Sequence, residues 1–298
     1  MNFQRILVPV DFSDCSSKAL DYAIRFGELY GSELTLFHVI TLFQEDVNEI
    51  EKVQELEAYV KKQEQKIHKE IEKQFHRVSD RGVNVRSEVQ RGISAADAIL
   101  EYLEEQPFDL VIMGTHGRTG LKHLIQGSVA EKVVRLSPVP VLTIHRDVDK
   151  IEFDHILVPV DFSVHSRRAV EYASSLAKNF NAHLIFLHVI EQEIHPSFYA
   201  AGVSSIFEID KTLKERVVEN MQEFVSDVVS DGLTMDYVVT EGKAHKEIVD
   251  YARNHSVDLI VIATHGLTGL EYLLLGSTTE KVVRWATCPV LTVKRESK

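Results

Sequence analysis

The sequence predicts two tandem α/β domains, each an open, doubly wound parallel sheet with helices on both faces. Three observations predict it: an internal repeat of about 150 residues, apolar runs that alternate with helical patterns inside each repeat, and a glycine-bearing stretch after the same apolar run in both copies. ILVPVDFS stands at 6–13 and again at 156–163, and LFHVI ending at Ile40 answers FLHVI ending at Ile190. Between 114–146 and 263–295, 19 of 33 aligned positions are identical. A domain-sized period excludes a solenoid of short repeats. The domains read as 1–149 and 150–298, joined at the short charged stretch RDVDKIEFD, 146–154.

The elements of the first copy follow in order. RILVPV and ELTLFHVI are continuous apolar runs, the pattern of strands buried on both faces. Between them Leu20, Ala23, Ile24 and Gly27 share one stripe of a helix from about Cys15 to Tyr30, with Ser13 or Asp14 as its N-cap. A long polar helix follows over about Asn48 to Arg77, with Ile50, Val53, Leu56, Val60, Ile67 and Ile71 as its apolar face. NVRSEVQ reads as a third strand, SAADAILEYLEEQ as a helix opened by Ser94, and DLVIMG as a fourth strand. SVAEKVVRLS then reads as a helix and PVLTIH as a fifth strand, and the second half repeats the order. Strands alternating with helices, joined by right-handed crossovers, give a doubly wound, Rossmann-like sheet.

Composition narrows the class of function. The formal net charge of -12 divides evenly, with 18 Lys+Arg against 24 Asp+Glu in 1–149 and 15 against 21 in 150–298. That balance argues against a nucleic-acid surface, which asks for a basic stripe. It does not exclude ATP, whose phosphates need only a few local donors. No apolar run reaches the length of a membrane helix, and MNFQRILVPVDFS has no basic leader or cleavage site, so a cytoplasmic protein with no membrane partner is expected. The two cysteines, Cys15 and Cys288, fall in different halves and indicate no disulfide. Cys15 reads as a small packing residue, with a redox role as the lesser alternative.

In open α/β sheets the ligand lies beyond the carboxyl ends of the strands, where strand order reverses. The residues at those ends are PVDFS, Val39 with Ile40, and GTHGRTGLKHLIQGS, 114–128. In the last stretch Gly114, Gly117, Gly127 and Ser128 follow G-x2-G-x9-G-S, and the final pair opens a helix. Glycine lets a ligand approach the backbone, and a helix start offers N–H groups to an anion. Arg118, Lys122 and His123 add cationic donors, and Asp11 is an acceptor for adenine or ribose, or a ligand for a phosphate-bound metal. The competing reading is structural. Ser128-x-x-Glu131 and Ser277-x-x-Glu280 fit capping boxes, and glycine turns join strands to helices where nothing binds. Neither a P-loop nor a GxGxxG after the first strand is present.

The combination ILVPVDFS, LFHVI, GTHGRTGLKHLIQGSVAEKVVR and PVPVLTI resembles the universal stress protein family, and its repetition resembles the tandem-domain members. The resemblance implies a five-stranded parallel sheet in each domain. It also implies an intramolecular pairing of the domains through their last strands, PVLTIH and PVLTVK, with a homodimer as a further option. It implies binding of ATP, or another adenine nucleotide, in members that keep the glycine motif; Mg2+ carried by the phosphates, with Asp11 nearby, is the metal expected on chemical grounds. Pro9, Val10 and Asp11 would line the nucleoside pocket, and the Val39–Ile40 backbone would meet adenine. Gly114 and Gly117 would allow approach to ribose and phosphate, and Gly127, Ser128 and Val129 would hold phosphates. The function it implies is an ATP-binding regulator of the stress response whose occupancy tunes partner binding.

The second copy keeps Asp161, Gly266, Gly276 and Ser277 and adds the hydroxyls of Thr278 and Thr279. Ala263 replaces the first glycine, which costs about 1–3 kcal/mol where the backbone needs a glycine-only conformation. Leu267, Glu271 and Tyr272 replace Arg118, Lys122 and His123, so a weaker or altered second site is expected. Candidates for turnover are few. His116 and His265 stand in the two loops, either against a phosphate or packed locally, and His38 and His188 read as structural strand-end residues. No HExxH or CxxC is present, so the 14 histidines form no zinc pattern. The alternatives are a slow ATP hydrolase or nucleotidyl-transfer enzyme and a scaffold for some other ligand.

Overall fold

The computed structural model describes residues 3–41, 53–115, 128–145, 151–191, 202, 205–264 and 276–294. The chain divides into two compact units, Asn2–Arg146 and, with Met1, Asp147–Lys298. In the first the order is β1 (Arg5–Pro9), α1 (Asp14–Tyr30), β2 (Glu33–Thr41), α2 (Val53–Ser79), β3 (Val85–Gly92), α3 (Ala95–Glu105), β4 (Leu110–Gly114), α4 (Ser128–Leu136) and β5 (Val141–Ile144). Its strands lie in the order β3-β2-β1-β4-β5, all parallel.

The second unit repeats the plan. It runs β6 (His155–Pro159), α5 (Val164–Phe180), β7 (His183–Ile190), a short α6 (Ile206–Ile209), α7 (Leu213–Val225), β8 (Met235–Glu241), α8 (Ala244–Asn254), β9 (Leu259–Ala263), α9 (Ser277–Trp285) and β10 (Val290–Val293). Its parallel order is β8-β7-β6-β9-β10. The doubly wound α/β fold read from the repeat is the fold observed in each unit.

The central strands are apolar throughout because helices cover both faces. Ile6, Leu7 and Val8 of β1 and Leu110, Val111 and Ile112 of β4 are fully buried, as are Ile156, Leu157 and Val158 of β6. Right-handed crossovers put α1 and α2 on one face and α3 and α4 on the other. The Arg77 guanidinium of α2 bonds to Ser17 and Asp21 of α1, which ties the first pair together. Ser13 caps α1, its Oγ accepting from the Ser16 N–H at 3.2 Å, and Ser94 caps α3 in the same way at 3.3 Å. The long polar helix runs to Ser79, two residues past Arg77, with Ile71 and Val78 buried.

One device fixes where strand order reverses. The Asp109 carboxylate, just before β4, accepts from the N–H groups of Gln4 and Arg5 at 2.8 and 2.9 Å. Asp258 does the same for Asp154 and His155, both at 2.9 Å. A carboxylate shared by the two strand starts sets β1 beside β4 and β6 beside β9, so the carboxyl ends of each pair open together. Among the described residues no helix is long and apolar enough to cross a membrane.

Candidate functional site

Beyond the carboxyl ends of β1, β2 and β4 the first unit brings together most of the described residues expected there. Val10 is buried, and Pro9, Asp11, Val39, Ile40, Gly114 and Val129 are half-buried. Val10 is fixed by its own main chain: its N–H donates to Phe37 O at 2.8 Å, and its carbonyl lies 2.6 Å from His38 Nδ1. Only a protonated Nδ1 can donate to a carbonyl, so that contact sets the His38 tautomer. His38 is buried, as a structural strand-end residue should be. His188 repeats the bond to Val160 O at 2.7 Å.

Asp11 follows immediately. Its Oδ1 accepts from the Ser13 N–H at 3.0 Å and from the Ser13 hydroxyl at 2.6 Å, and its own N–H donates to Ser16 Oγ at 3.2 Å. The carboxylate is therefore held at the mouth of the crevice by the same serine that caps α1. Between Asp11 and Ser13, Phe12 adopts φ 64°, the left-handed region that a bulky side chain avoids. Its ring packs on His38 at 4.8 Å, and Phe162, φ 62°, packs on His188 at the same distance. The sequence reading missed this strained turn; its only trace there is the phenylalanine after the aspartate in both copies.

Gly114 ends β4, and a Cβ built on it would lie 2.9 Å from the carbonyl carbon and the Cβ of Cys15. The glycine is required by close approach of α1. The Cys15 side chain is buried, its Sγ 3.6 Å from Ile144 O, which is the packing role. Thr115, buried beside it, bonds to Ile144 O through N–H and hydroxyl at 3.0 and 3.3 Å. α4 begins at Ser128. His116, Gly117, Arg118, Lys122, His123 and Gly127 lie outside the described residues, as does the Ser128 side chain.

The second unit corrects two expectations. Ala263 lies in β9 and has no positive φ, so the argument that a glycine-only backbone makes this alanine costly does not hold there. The capping box Ser277-x-x-Glu280 is not formed either. Gly276 is the N-cap of α9 and its carbonyl accepts from the Glu280 N–H at 2.9 Å, which makes Ser277 the first helical residue. Glu280 instead contacts Arg284 at 3.3 Å. Among the described residues no acceptor meets the N–H groups of Ser277 and Thr278. Thr279, buried where the first copy has Ala130, donates to Ala263 O at 2.7 Å. Asp161 keeps its bond from the Ser163 N–H at 3.0 Å. Gly266, His265, Leu267, Glu271 and Tyr272 lie outside the described residues.

Each unit is a doubly wound α/β fold with an aspartate turn and a helix start at its switch point, the place where open α/β sheets receive ligands. The universal stress protein family model matches residues 2–145 and again 152–294, and the chain belongs to that family. A universal stress protein E homolog of Haemophilus influenzae is 29% identical, with all of this chain and 99% of that protein aligned. A universal stress protein of Methanocaldococcus jannaschii is 34% identical over 146 residues, 49% of this chain and 85% of that one. Among solved structures, a universal stress protein from Archaeoglobus fulgidus superposes with a TM-score of 0.69 at 25% identity, covering 98% of each chain.

Proposed function

We propose that the first domain binds ATP, or a closely related adenine nucleotide, in the crevice between β1 and β4, and that occupancy tunes association with partners in a cytoplasmic stress response. The observation that carries this reading is the convergence of Asp11, Val39–Ile40, Gly114 and the start of α4 on one switch point. Each suits one part of a nucleotide: half-buried strand ends for a flat base, a fixed carboxylate for ribose hydroxyls, and a helix start for phosphates. Arg118 and the glycines of 114–128 add the donors that the sequence supplies to the same loop.

Among the described residues no group of three or more His, Cys, Asp or Glu suits a metal ion. Magnesium, which keeps water and phosphate ligands in preference to a protein cage, would arrive on the nucleotide with Asp11 as at most one protein ligand. The fixed position of the Asp11 carboxylate fits that role. In the second domain the reading is a weaker site. Its support is the exchange of Arg118, Lys122 and His123 for Leu267, Glu271 and Tyr272, which removes cationic donors for a phosphate and adds a carboxylate that repels one.

The test is stoichiometry. The protein is saturated with Mg-ATP, freed of excess, denatured, and its released nucleotide measured by chromatography. One nucleotide per chain, lost in Asp11→Ala, is the expected result. Two per chain would refute the asymmetry, and none from a folded sample would refute nucleotide binding. ADP formed in the same samples measures turnover. A regulatory switch also requires that partner binding differ with and without saturating ATP.

A further inference from the structure

The repeat lets α8 and α9 be compared with α3 and α4 position by position, and the two faces carry opposite charge. In the first domain the Lys132 ammonium on α4 is bonded to Asp97 on α3. In the second, Lys281 takes the place of Lys132, but Lys246 stands where Asp97 did, and Lys243 and His245 replace Ser94 and Ala96. Among the described residues Lys243, Lys246 and Lys281 have no ion-pair partner. Of the carboxylates beside them, Glu191 accepts from the Ala244 N–H at 2.6 Å, Glu280 contacts Arg284 and Asp250 contacts Arg253. Glu247 makes no ion pair among the described residues, so three lysines stand against one carboxylate left over. Burial first, then Lys281 and Lys243 against the opposing pull of Glu191, holds His245 below the ordinary imidazole range. The His245 ring lies 5.4 Å from Trp285, which is 47% exposed and is the one tryptophan of the chain.

The complement is on the other domain's equivalent helix. α3 carries Asp97, Glu101, Glu104 and Glu105 and no lysine or arginine. Glu101, Glu104 and Glu105 are exposed and have no ion-pair partner among the described residues. Their i, i+3, i+4 spacing stacks like charges on one helix face, which is unfavourable in isolation. An exposed indole on a helix pair that carries unpaired lysines and a helix face of unpaired carboxylates each lack what the other supplies.

We propose that the α8–α9 face docks on the α3 face of a second copy of this chain, with Trp285 at the centre and Lys243, Lys246 and Lys281 opposite Glu101, Glu104 and Glu105. Tryptophan at the middle of a contact supplies most of its affinity, while charges around it set orientation and salt dependence. The contact joins unlike faces, so it closes into a ring or a two-fold dimer, or propagates, according to the rotation it imposes. It does not depend on nucleotide.

Sedimentation velocity of the full chain over a wide concentration range, at low and high salt, tests it, with Trp285 emission followed on the same samples. The expected result is association at low salt, weakened by added salt, with emission moving to shorter wavelength as the indole is buried. The pair K246E and K281E, and separately the pair E101K and E104K, should each lose the association while keeping the helical circular dichroism of the parent. Mixing the two variants should restore it, because the reversed faces match again. A parent chain that stays monomeric at low salt overturns the proposal, as does association that leaves Trp285 emission unchanged. Association that both variants keep, or that the mixture fails to recover, overturns it equally. The salt and emission readouts on the parent chain stand even where a variant misfolds.

Discussion

Replacing Gly114 by alanine should destabilise the first domain through α1. The added Cβ would lie 2.9 Å from two atoms of Cys15 and 3.1 Å from its carbonyl oxygen, where ordinary contact begins at 3.4 Å. Two of those three atoms belong to the backbone, so no side-chain rotation relieves the overlap, and the first turn of α1 must retreat by about half an ångström. Overpacking of this kind costs about 1–3 kcal/mol. At a urea dependence of about 2 kcal/mol/M, the unfolding midpoint should fall by about 0.5–1.5 M. The same retreat disturbs Ser13 and Ser16, which hold Asp11, so nucleotide affinity should fall with stability. Far-UV circular dichroism follows the transition of both domains, while Trp285 emission reports only the second. The reciprocal Ala263→Gly loses a buried methyl and adds backbone freedom in a strand, and should cost about 1–2 kcal/mol. An unmoved dichroism midpoint for G114A, or a stabilised A263G, would refute the close-approach reasoning.

Ser13→Ala removes both the N-cap of α1 and the 2.6 Å hydroxyl bond to Asp11; thermal denaturation should show a loss of about 1–2 kcal/mol. Burial lowers Lys294 from 10.5 to about 8. Between those values the unfolded chain holds a proton the folded one has released, so stability from this group rises with pH from about 8 to 10.5. Lys294→Met should flatten that rise in urea midpoints measured across the window. Burial, chiefly, also pushes the Cys288 thiol up to about 12, and Cys15 is buried. Native protein at pH 8 should therefore resist alkylation by iodoacetamide, and both cysteines should react once urea unfolds the chain; rapid labelling of the folded form would contradict this packing.

Much of the molecule was legible because its signals are local or periodic. The repeated ILVPVDFS marked two β1-type strands, and Ser13 and Ser94 announced helix starts through a bond to an N–H three residues on. Val10, Asp11, Val39, Ile40 and Gly114 were found at strand ends because topology rules say where such ends meet. The misread parts depend on distance between residues far apart in the chain. The glycine-only backbone weighed for the Gly114 and Ala263 position is not used at Ala263, and at Gly114 it is Cys15, 99 positions earlier, that leaves no room for a Cβ. Ser277 fitted a capping box, but the chain enters α9 one residue sooner, at Gly276.

The sequence by itself determined the duplication, the alternation of strand and helix, and the set of residues available at each strand's end, since these rest on side-chain order and short-range hydrogen bonds. Only the tertiary structure decided that β1 lies against β4 through the Asp109 carboxylate and that Phe12 takes a left-handed turn packed on His38. Those outcomes follow from packing, where one atom's position is fixed by atoms from elements that no local pattern relates.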